Sequence, residues 1–361
     1  RLTTYRSRYN RDNYSQVHIS NDALTTLNNK VLLSSLLDRC NMQQASNLLG
    51  INAKTLARYM IKHGIELPGR SSYENQMKQF LTNHDIIFKQ NTHKVINGEL
   101  DFYISSHNLA IEICGLYYHS QYSERGKSDR YYHYNKWKQC IDKDIQLITI
   151  FEDELVYTSD IVYSRLAHML GVNNAKTIGA RKIAIINIDW ITGKNFLNEH
   201  HIQGGEPNTK YRYGAFYGEK MVAVMLFSDN TMGDYDCELV RFATDGGNYP
   251  GLVSKMMKHF TRLHPRDTIV SFSDNRWSDG NIYGVLGFVN DGAVLPTYYY
   301  TNYKERFVKT KFRKDKILKA GYDPVKYGRK VDDWTESEAM RDLGYDRIYD
   351  CGKIRWVYYR K

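Results

Sequence analysis

Two carboxylates, Asp101 and Glu112, stand in short apolar segments at 100–104 and 109–113, joined by Ser105-Ser-His-Asn108. The segments read as strands of alternating pattern and the linker as a hairpin-type connection rich in turn formers. Because side chains alternate across a strand, Asp101 and Tyr103 share one face, as do Glu112 and Cys114, while Phe102, Ile104, Ile111 and Ile113 point into a core. Paired hard oxygen ligands suit Mg²⁺, with Mn²⁺ as a substitute, and an ion held so activates water and offsets charge on a phosphate. Two histidines and a lysine follow closely, His119, His133 and Lys136. The chemistry expected is metal-dependent hydrolysis of a nucleic-acid phosphodiester.

At these residues the chain also resembles a known family. Asp101, then Ile111-Glu-x-x-Gly-x-Tyr-Tyr-His119, then His133-x-x-Lys136 and a strand ending in Phe151-Glu-Asp-Glu154 are similar to phage homing endonucleases built on the very-short-patch-repair (Vsr-like) type of PD-(D/E)XK nuclease. The resemblance covers residues 71–170 and, more loosely, the remainder to the C-terminus. It implies that Asp101 binds metal, Glu112 flanks it, His119 handles a proton on water or leaving group, and Glu74 completes the acidic set. Two positions depart from the pattern. Cys114 stands where the general family has lysine and the repair enzymes have histidine, and His133 stands where the repair enzymes have aspartate. Lys136 is the candidate to supply the missing positive charge from another direction, while His133 has the alternative of simply capping or solvating a helix.

Several elements must position this set. Ser72 and the segment after it read as a capped amphipathic helix over 73–81 with Glu74 in its first turn, where an acid also complements the helix dipole. Residues 145–151 form a nearly continuous apolar run, the mark of a central buried strand, and a helix over 159–170 follows. Upstream, 42–50 and 53–64 read as two helices separated by Gly50-Ile-Asn52, with Asn52 as N-cap. That is the pattern of a helix-turn-helix, in which Lys54, Thr55, Arg58 and Lys62 face DNA; a plain helical hairpin is the alternative. Residues 1–11 carry four arginines and no acid, a flexible terminus or an arm that tracks phosphates.

Beyond residue 172 the order of elements is strand 180–188, helix 190–200, hairpin 211–228, strand 237–243, a glycine-rich loop Gly246-Gly-Asn-Tyr-Pro-Gly251, helix 252–263, strand 269–273 and a short helix before Gly287-Phe288. This order resembles the N-acetyltransferase (GNAT) fold, whose members hold the pyrophosphate of acetyl-CoA on backbone N–H groups at that loop. Lys255 sits in the first turn of the following helix. The blocks His201-Ile-Gln-Gly204, Ser273-Asp-Asn-Arg-Trp-Ser278 and Tyr349-Asp-Cys-Gly352 are similar to the segment that often follows the nuclease in phage homing endonucleases, which favours DNA handling and adds Arg276 to the candidate contacts. Residues 303–319 hold eight Lys or Arg against two acids, Lys309, Lys311, Arg313 and Lys314 among them. Such clustering neutralises phosphates, or else is a solvated face.

Composition frames these readings. A formal charge of +10 and 25% charged residues in 361 fit a folded protein with a polyanionic partner. Thirty tyrosines and five tryptophans add surface able to pack or to stack on bases. Five scattered cysteines form no zinc set and fit a reducing compartment. No apolar run reaches membrane-spanning length. The expected molecule is therefore a multidomain α/β (α+β) protein with three parts. Residues 1–70 form a basic arm and helix-turn-helix, 71–172 a mixed-sheet Vsr-like PD-(D/E)XK nuclease, and 173–361 a GNAT-like mixed sheet with helices and a basic C-terminal region. It would cut double-stranded DNA site-specifically with Mg²⁺, in the cytoplasm of a phage-infected bacterial host, as a monomer or homodimer. A mismatch- or lesion-directed nicking enzyme, an acyl-CoA-dependent nucleic-acid-modifying transferase and a DNA-binding regulator are the alternatives.

Overall fold

The structure is a computed structural model that describes residues 19–39, 42–65, 67, 70–123, 129–205, 209–229 and 233–360. The arginine-rich stretch at the N-terminus lies outside these, up to residue 18. Four short helices open the described chain: α1 (Asn21–Asn28), α2 (Lys30–Leu37), α3 (Met42–Leu49) and α4 (Ala53–Lys62). The turn between α3 and α4 works because Gly50 adopts φ +62° and Asn52 caps α4, its side chain accepting from Thr55 N at 2.8 Å. Helix α5 (Arg70–Asn83) starts earlier than the sequence suggests. Ser72 is thus inside it rather than its cap, and Glu74 falls in the second turn.

The first sheet has the order β1 (Lys89–Ile96), β2 (Gly98–Ile104), β3 (Leu109–Cys114), β4 (Gln146–Phe151), antiparallel except for the β3–β4 pair. Helix α6 (Tyr132–Ile141) makes the crossover into β4, and α7 (Glu152–Tyr157) and α8 (Ser159–Met169) follow. Every residue of β3 is buried, since both faces of the sheet are covered. One face carries Phe102, Ile104, Ile111, Ile113, Ile148 and Ile150 into a core shared with Tyr73, Met77 and Leu81 of α5 and continuous with Leu27, Leu56 and Met60 of the N-terminal helices. The other face packs Leu100, Ala110 and Leu147 against Cys140 of α6.

The second sheet is built from β5 (Ala184–Asn187), β6 (Tyr211–Tyr217), β7 (Lys220–Asp229), β8 (Cys237–Thr244), β9 (Thr268–Asp274), β10 (Phe288–Val294) and the last strand, Lys353–Tyr359, in the order β10, last strand, β9, β8, β7, β6, β5. Helices α9 (Trp190–His200), α10 (Leu252–Leu263) and α11 (Asn281–Val285) connect them. The stretch expected as a strand over 180–188 is shortened to β5, because Ala180–Lys182 is a 3₁₀ turn. All neighbours are antiparallel except β8 and β9, which pair in parallel only at Cys237–Ile269 and Glu238–Val270 and then diverge.

Between β10 and the last strand the chain leaves this sheet. It forms a third one, β12–β11–β13, from β11 (Tyr298–Thr301), β12 (Arg306–Val308) and β13 (Asp346–Tyr349), with α12 (Lys314–Lys319) and α13 (Glu336–Asp342) around Tyr300, Phe312, Ile317 and Trp334. The last strand is β14 (Lys353–Tyr359).

This third sheet is what ties the second back to the first. Ser120 bridges Ile348, Gln121 N–H donates to Arg347 O at 2.7 Å, and Cys114, Leu116, Phe151 and Ile348 share a small core. Two buried ion pairs cross the same boundary, Arg276 to Glu154 at 2.8 Å and Arg306 to Asp153 at 2.9 Å. No helix among the described residues is long and apolar enough to cross a membrane.

Candidate active site

The β2–β3 register pairs Phe102 with Ile111, so Asp101 and Glu112 are the next residues along on the two strands, on the face covered by α6. Both are buried, 2% and 4% exposed. Asp101 Oδ2 accepts the Ile113 N–H at 2.7 Å, which fixes the carboxylate where the strand ladder ends. Helix α6 places His133, Lys136 and Cys140 on one side by their three- and four-residue spacing. Lys136 Nζ reaches Glu112 Oε1 at 2.5 Å with only 12% of its side chain exposed. Burial pulls the Lys136 pKa down, but Glu112 outweighs that and holds it above the ordinary value. The positive charge absent at position 114 is therefore delivered from the helix.

His119 arrives on the turn after β3, closed by its N–H to Gly115 O at 3.1 Å. Its ring lies nearly parallel to that of His133, with centroids 5.1 Å apart, and Nδ1 is 2.9 Å from His133 Nε2. His133 Nδ1 in turn lies 2.7 Å from the carbonyl of Tyr349, in β13. A carbonyl only accepts, so His133 must carry its proton on Nδ1. Burial lowers the His133 pKa to about 4, the Tyr349 contact opposing in part, so the ring is neutral and Nε2 is an acceptor. His119 must then donate from Nδ1, which makes Nε2 the nitrogen where it takes up or gives away a proton. The tautomers of both rings are thus set by the far end of this chain of three groups.

Asp101 and Glu112 are buried carboxylates, the second paired with Lys136, and they offer hard oxygen donors of the kind a divalent cation takes. Glu74 is half-buried on a helix whose apolar side, Tyr73 and Met77, packs on the opposite face of the sheet from α6. The acids after β4 are structural: Asp153 binds Arg306, and Glu154 binds both Arg276 and Arg306. Burial alone would raise the Glu154 pKa, yet the two guanidinium groups outweigh it and hold it low.

The expected DNA contacts divide. Lys54 and Lys62 are exposed, and Lys62 also reaches Asn28 Oδ1 at 3.1 Å. Thr55 is half-buried, and Arg58, half-buried too, has a pKa lowered by burial against the pull of Glu305. Lys309, Lys311, Arg313 and Lys314 are all exposed. Two expectations fail. Arg276 is only 2% exposed and is bound to Glu154 and Asp274, so it cannot reach a nucleic acid. Lys255 turns inward to the carbonyls of Ala180 and Ile183 at 2.9 and 2.5 Å. Sequence reasoning also missed the Tyr349 carbonyl, although Tyr349-Asp-Cys-Gly352 had drawn notice as a motif.

No family model matches the chain, and no curated protein does. Among solved structures, a Bacillus subtilis acetyltransferase in complex with CoA is 14% identical, covering 50% of this chain and 100% of its own, with a TM-score of 0.26. Ribosomal-protein-S5-alanine acetyltransferase from Vibrio fischeri is 13% identical over 35% of this chain and 88% of its own, also at 0.26. A structure described as a streptothricin acetyltransferase from Bacillus anthracis, with acetyl coenzyme A, is 12% identical over 52% and 92%, at 0.24. Scores this low establish neither a shared fold nor a shared activity.

Proposed function

We propose that the chain is a Mg²⁺-dependent DNA endonuclease of the homing type. The observation that carries this reading is the buried grouping of Asp101, Glu112 and Lys136 beside the His119–His133–Tyr349 chain. Asp101 and Glu112 would hold the ion, which supplies Lewis-acid stabilisation of phosphate charge and a more acidic water. Lys136 pairs with Glu112 and adds positive charge for the pentacovalent phosphate. His119 takes or gives a proton at Nε2 while its Nδ1–H stays with His133.

Cations close to the turn that carries His119 support a polyanionic substrate. Tyr117, two residues before His119, packs edge-on to Tyr303 at 5.2 Å. Glu305, two residues further, is buried enough to raise its pKa, with Lys54, Arg58 and Lys311 acting against that rise. Lys54 and Arg58 of α4 and Lys311 thus act on one residue, and Lys54 and Lys311 are exposed cations of the kind a polyanion engages.

Acyl transfer is the second reading. It is favoured by the diverging β8 and β9 and the cavity of about 890 Å³ between them, lined also by α8 and by His200 and His201. The glycine-rich loop opposes it. Gly246 and Gly247 N–H donate to Thr244 Oγ1 and Asp245 Oδ1, at 3.4 and 3.1 Å, and the carbonyls of Asn248 and Pro250 accept from Ile178 and Ala180. Asp245 is ionised beside Lys220, its pKa held low against burial, and would repel a pyrophosphate.

The test is plasmid and phage DNA with and without Mg²⁺. Wild type should cut only with the ion, Asp101→Asn should bind DNA without cutting, and His119→Ala should slow cleavage by roughly 10²- to 10⁴-fold. Unchanged cleavage by Asp101→Asn would remove Asp101 from the site, and micromolar acetyl-CoA binding by calorimetry without any cleavage would move the assignment to the transferase.

A further inference from the structure

Cys114 closes a third side of the histidine pair. Its Sγ and one ring nitrogen each of His119 and His133 all lie within 4.8 Å of one another, and all three residues are buried. A tetrahedral zinc ion, with Zn–N of about 2.0–2.1 Å and Zn–S of about 2.3 Å, needs its donors about 3.3–3.6 Å apart. The two nitrogens are at 2.9 Å, so parting them by roughly half an ångström gives the zinc-bound spacing, and the sulfur, within 4.8 Å of both, has to close in on them. The Tyr349 carbonyl holding His133 Nδ1–H is the outer hydrogen bond that fixes a metal-bound imidazole, and it already turns the Nε2 lone pair inward. One thiolate and two imidazoles select a soft transition ion and discriminate against Mg²⁺, which wants oxygen.

We propose that Cys114, His119 and His133 form a zinc site adjoining the Asp101–Glu112 carboxylates, and that zinc there switches off the neighbouring hydrolytic chemistry, a consequence that rests on the nuclease reading. Without zinc, His119 donates from Nδ1 and keeps its lone pair on Nε2. Zinc binding through Nδ1 moves that proton to Nε2, and the thiol proton of Cys114 leaves to solvent. The two tautomers of His119 exclude each other, so the ring cannot serve as base at Nε2 and as ligand at Nδ1. Water completes the tetrahedron.

The full chain is dialysed against Zn²⁺ and its metal content measured, and Co²⁺ is then substituted. One equivalent of zinc is expected, with a thiolate-to-cobalt charge-transfer band in the near ultraviolet and tetrahedral bands in the visible. Cys114→Ser should remove the charge-transfer band and weaken zinc binding by roughly 100-fold or more. The wild-type cobalt spectrum decides the question even if that variant misfolds. No bound zinc at tens of micromolar, cobalt bound without a thiolate band, or a Cys114→Ser chain that binds like wild type would overturn the site. Mg²⁺-dependent cleavage that persists with zinc bound would overturn the switching. A chain that holds zinc through Cys114 and never cleaves DNA would leave the metal site standing and refute the nuclease.

Discussion

Replacing Lys136 with methionine keeps the unbranched side chain, one atom shorter, and removes the charge that faces Glu112. The pair sits at 2.5 Å with 12% and 5% of the side chains exposed, so little solvent is at hand to take the place of the ammonium. Stripping one partner from a buried ion pair costs about 3–5 kcal/mol. The orphaned carboxylate has one escape, which is to take up a proton. For a carboxyl of reference pKa near 4.3, staying protonated at pH 7 costs about 3.7 kcal/mol, and that caps the penalty. At pH 5 the same step costs only about 1 kcal/mol. Lys136→Met should therefore lose about 3–4 kcal/mol at pH 7 without Mg²⁺ and about 1 kcal/mol at pH 5. The assay is urea unfolding at both pH values, repeated with Glu112→Gln and the double variant. The double variant should be more stable than the sum of the single losses predicts, by about 2 kcal/mol or more. A loss below about 1 kcal/mol at pH 7, or additive losses, would mean that Lys136 is not the electrostatic partner of Glu112 in solution.

Arg276→Met should destabilise the fold by about 3–5 kcal/mol, because Glu154 loses a buried partner, while the folded fraction keeps its DNA affinity in a filter-binding titration. Alanine at Lys309, Lys311, Arg313 and Lys314 together should weaken binding to every DNA sequence alike and flatten the plot of log K against log salt by up to about 3–4 in slope. His133 has a pKa of about 4 in the fold against about 6.5 unfolded, so the folded chain binds fewer protons between those values. The stability this group confers is present above about pH 6.5 and falls by roughly 3 kcal/mol as pH drops toward 4; His133→Asn should flatten that slope in unfolding curves. Deleting residues 173–361 should abolish cleavage and cooperative unfolding of the remainder, since it removes Arg276, Arg306 and the Tyr349 carbonyl; a truncated chain that unfolds cooperatively and still cuts would refute this.

Local periodicity made the carboxylate pair legible. Alternation put Asp101 and Glu112 on one face, and the strand ladder of Phe102 with Ile111 puts them side by side. On α6 the spacing of His133 and Lys136 turns both to the sheet, which the sequence left open by allowing His133 to cap or solvate the helix. Strands β11, β12 and β13 were not legible. The Tyr298–Thr301 strand is a tyrosine run without alternation, and Arg306–Val308 lies inside a basic stretch whose charge dominated any reading of it. Arg276 shows why composition misleads. An arginine in the polar run Ser273-Asp-Asn-Arg276 looks like a surface cation, and Glu154, 122 positions earlier, joins Asp274 in making its burial possible.

The site's chemistry depends on a still longer reach. His119 and His133 could be picked out as residue types, but which nitrogen of each bears the proton is decided by the Tyr349 backbone, 216 positions from His133. A carbonyl has no side-chain identity, so no residue pattern could have announced it. The consequence for mechanism is specific. Any change that moves β13 away from α6 frees His133 to adopt its other tautomer, and His119 then loses the acceptor that keeps its own proton on Nδ1. Control over the His119 tautomer therefore lies in the segment between β10 and β14, outside the sheet that carries the carboxylates. The buried pairs of Arg276 with Glu154 and Arg306 with Asp153 cross that same boundary, and they hold the segment against the sheet at the distance the hydrogen bond requires.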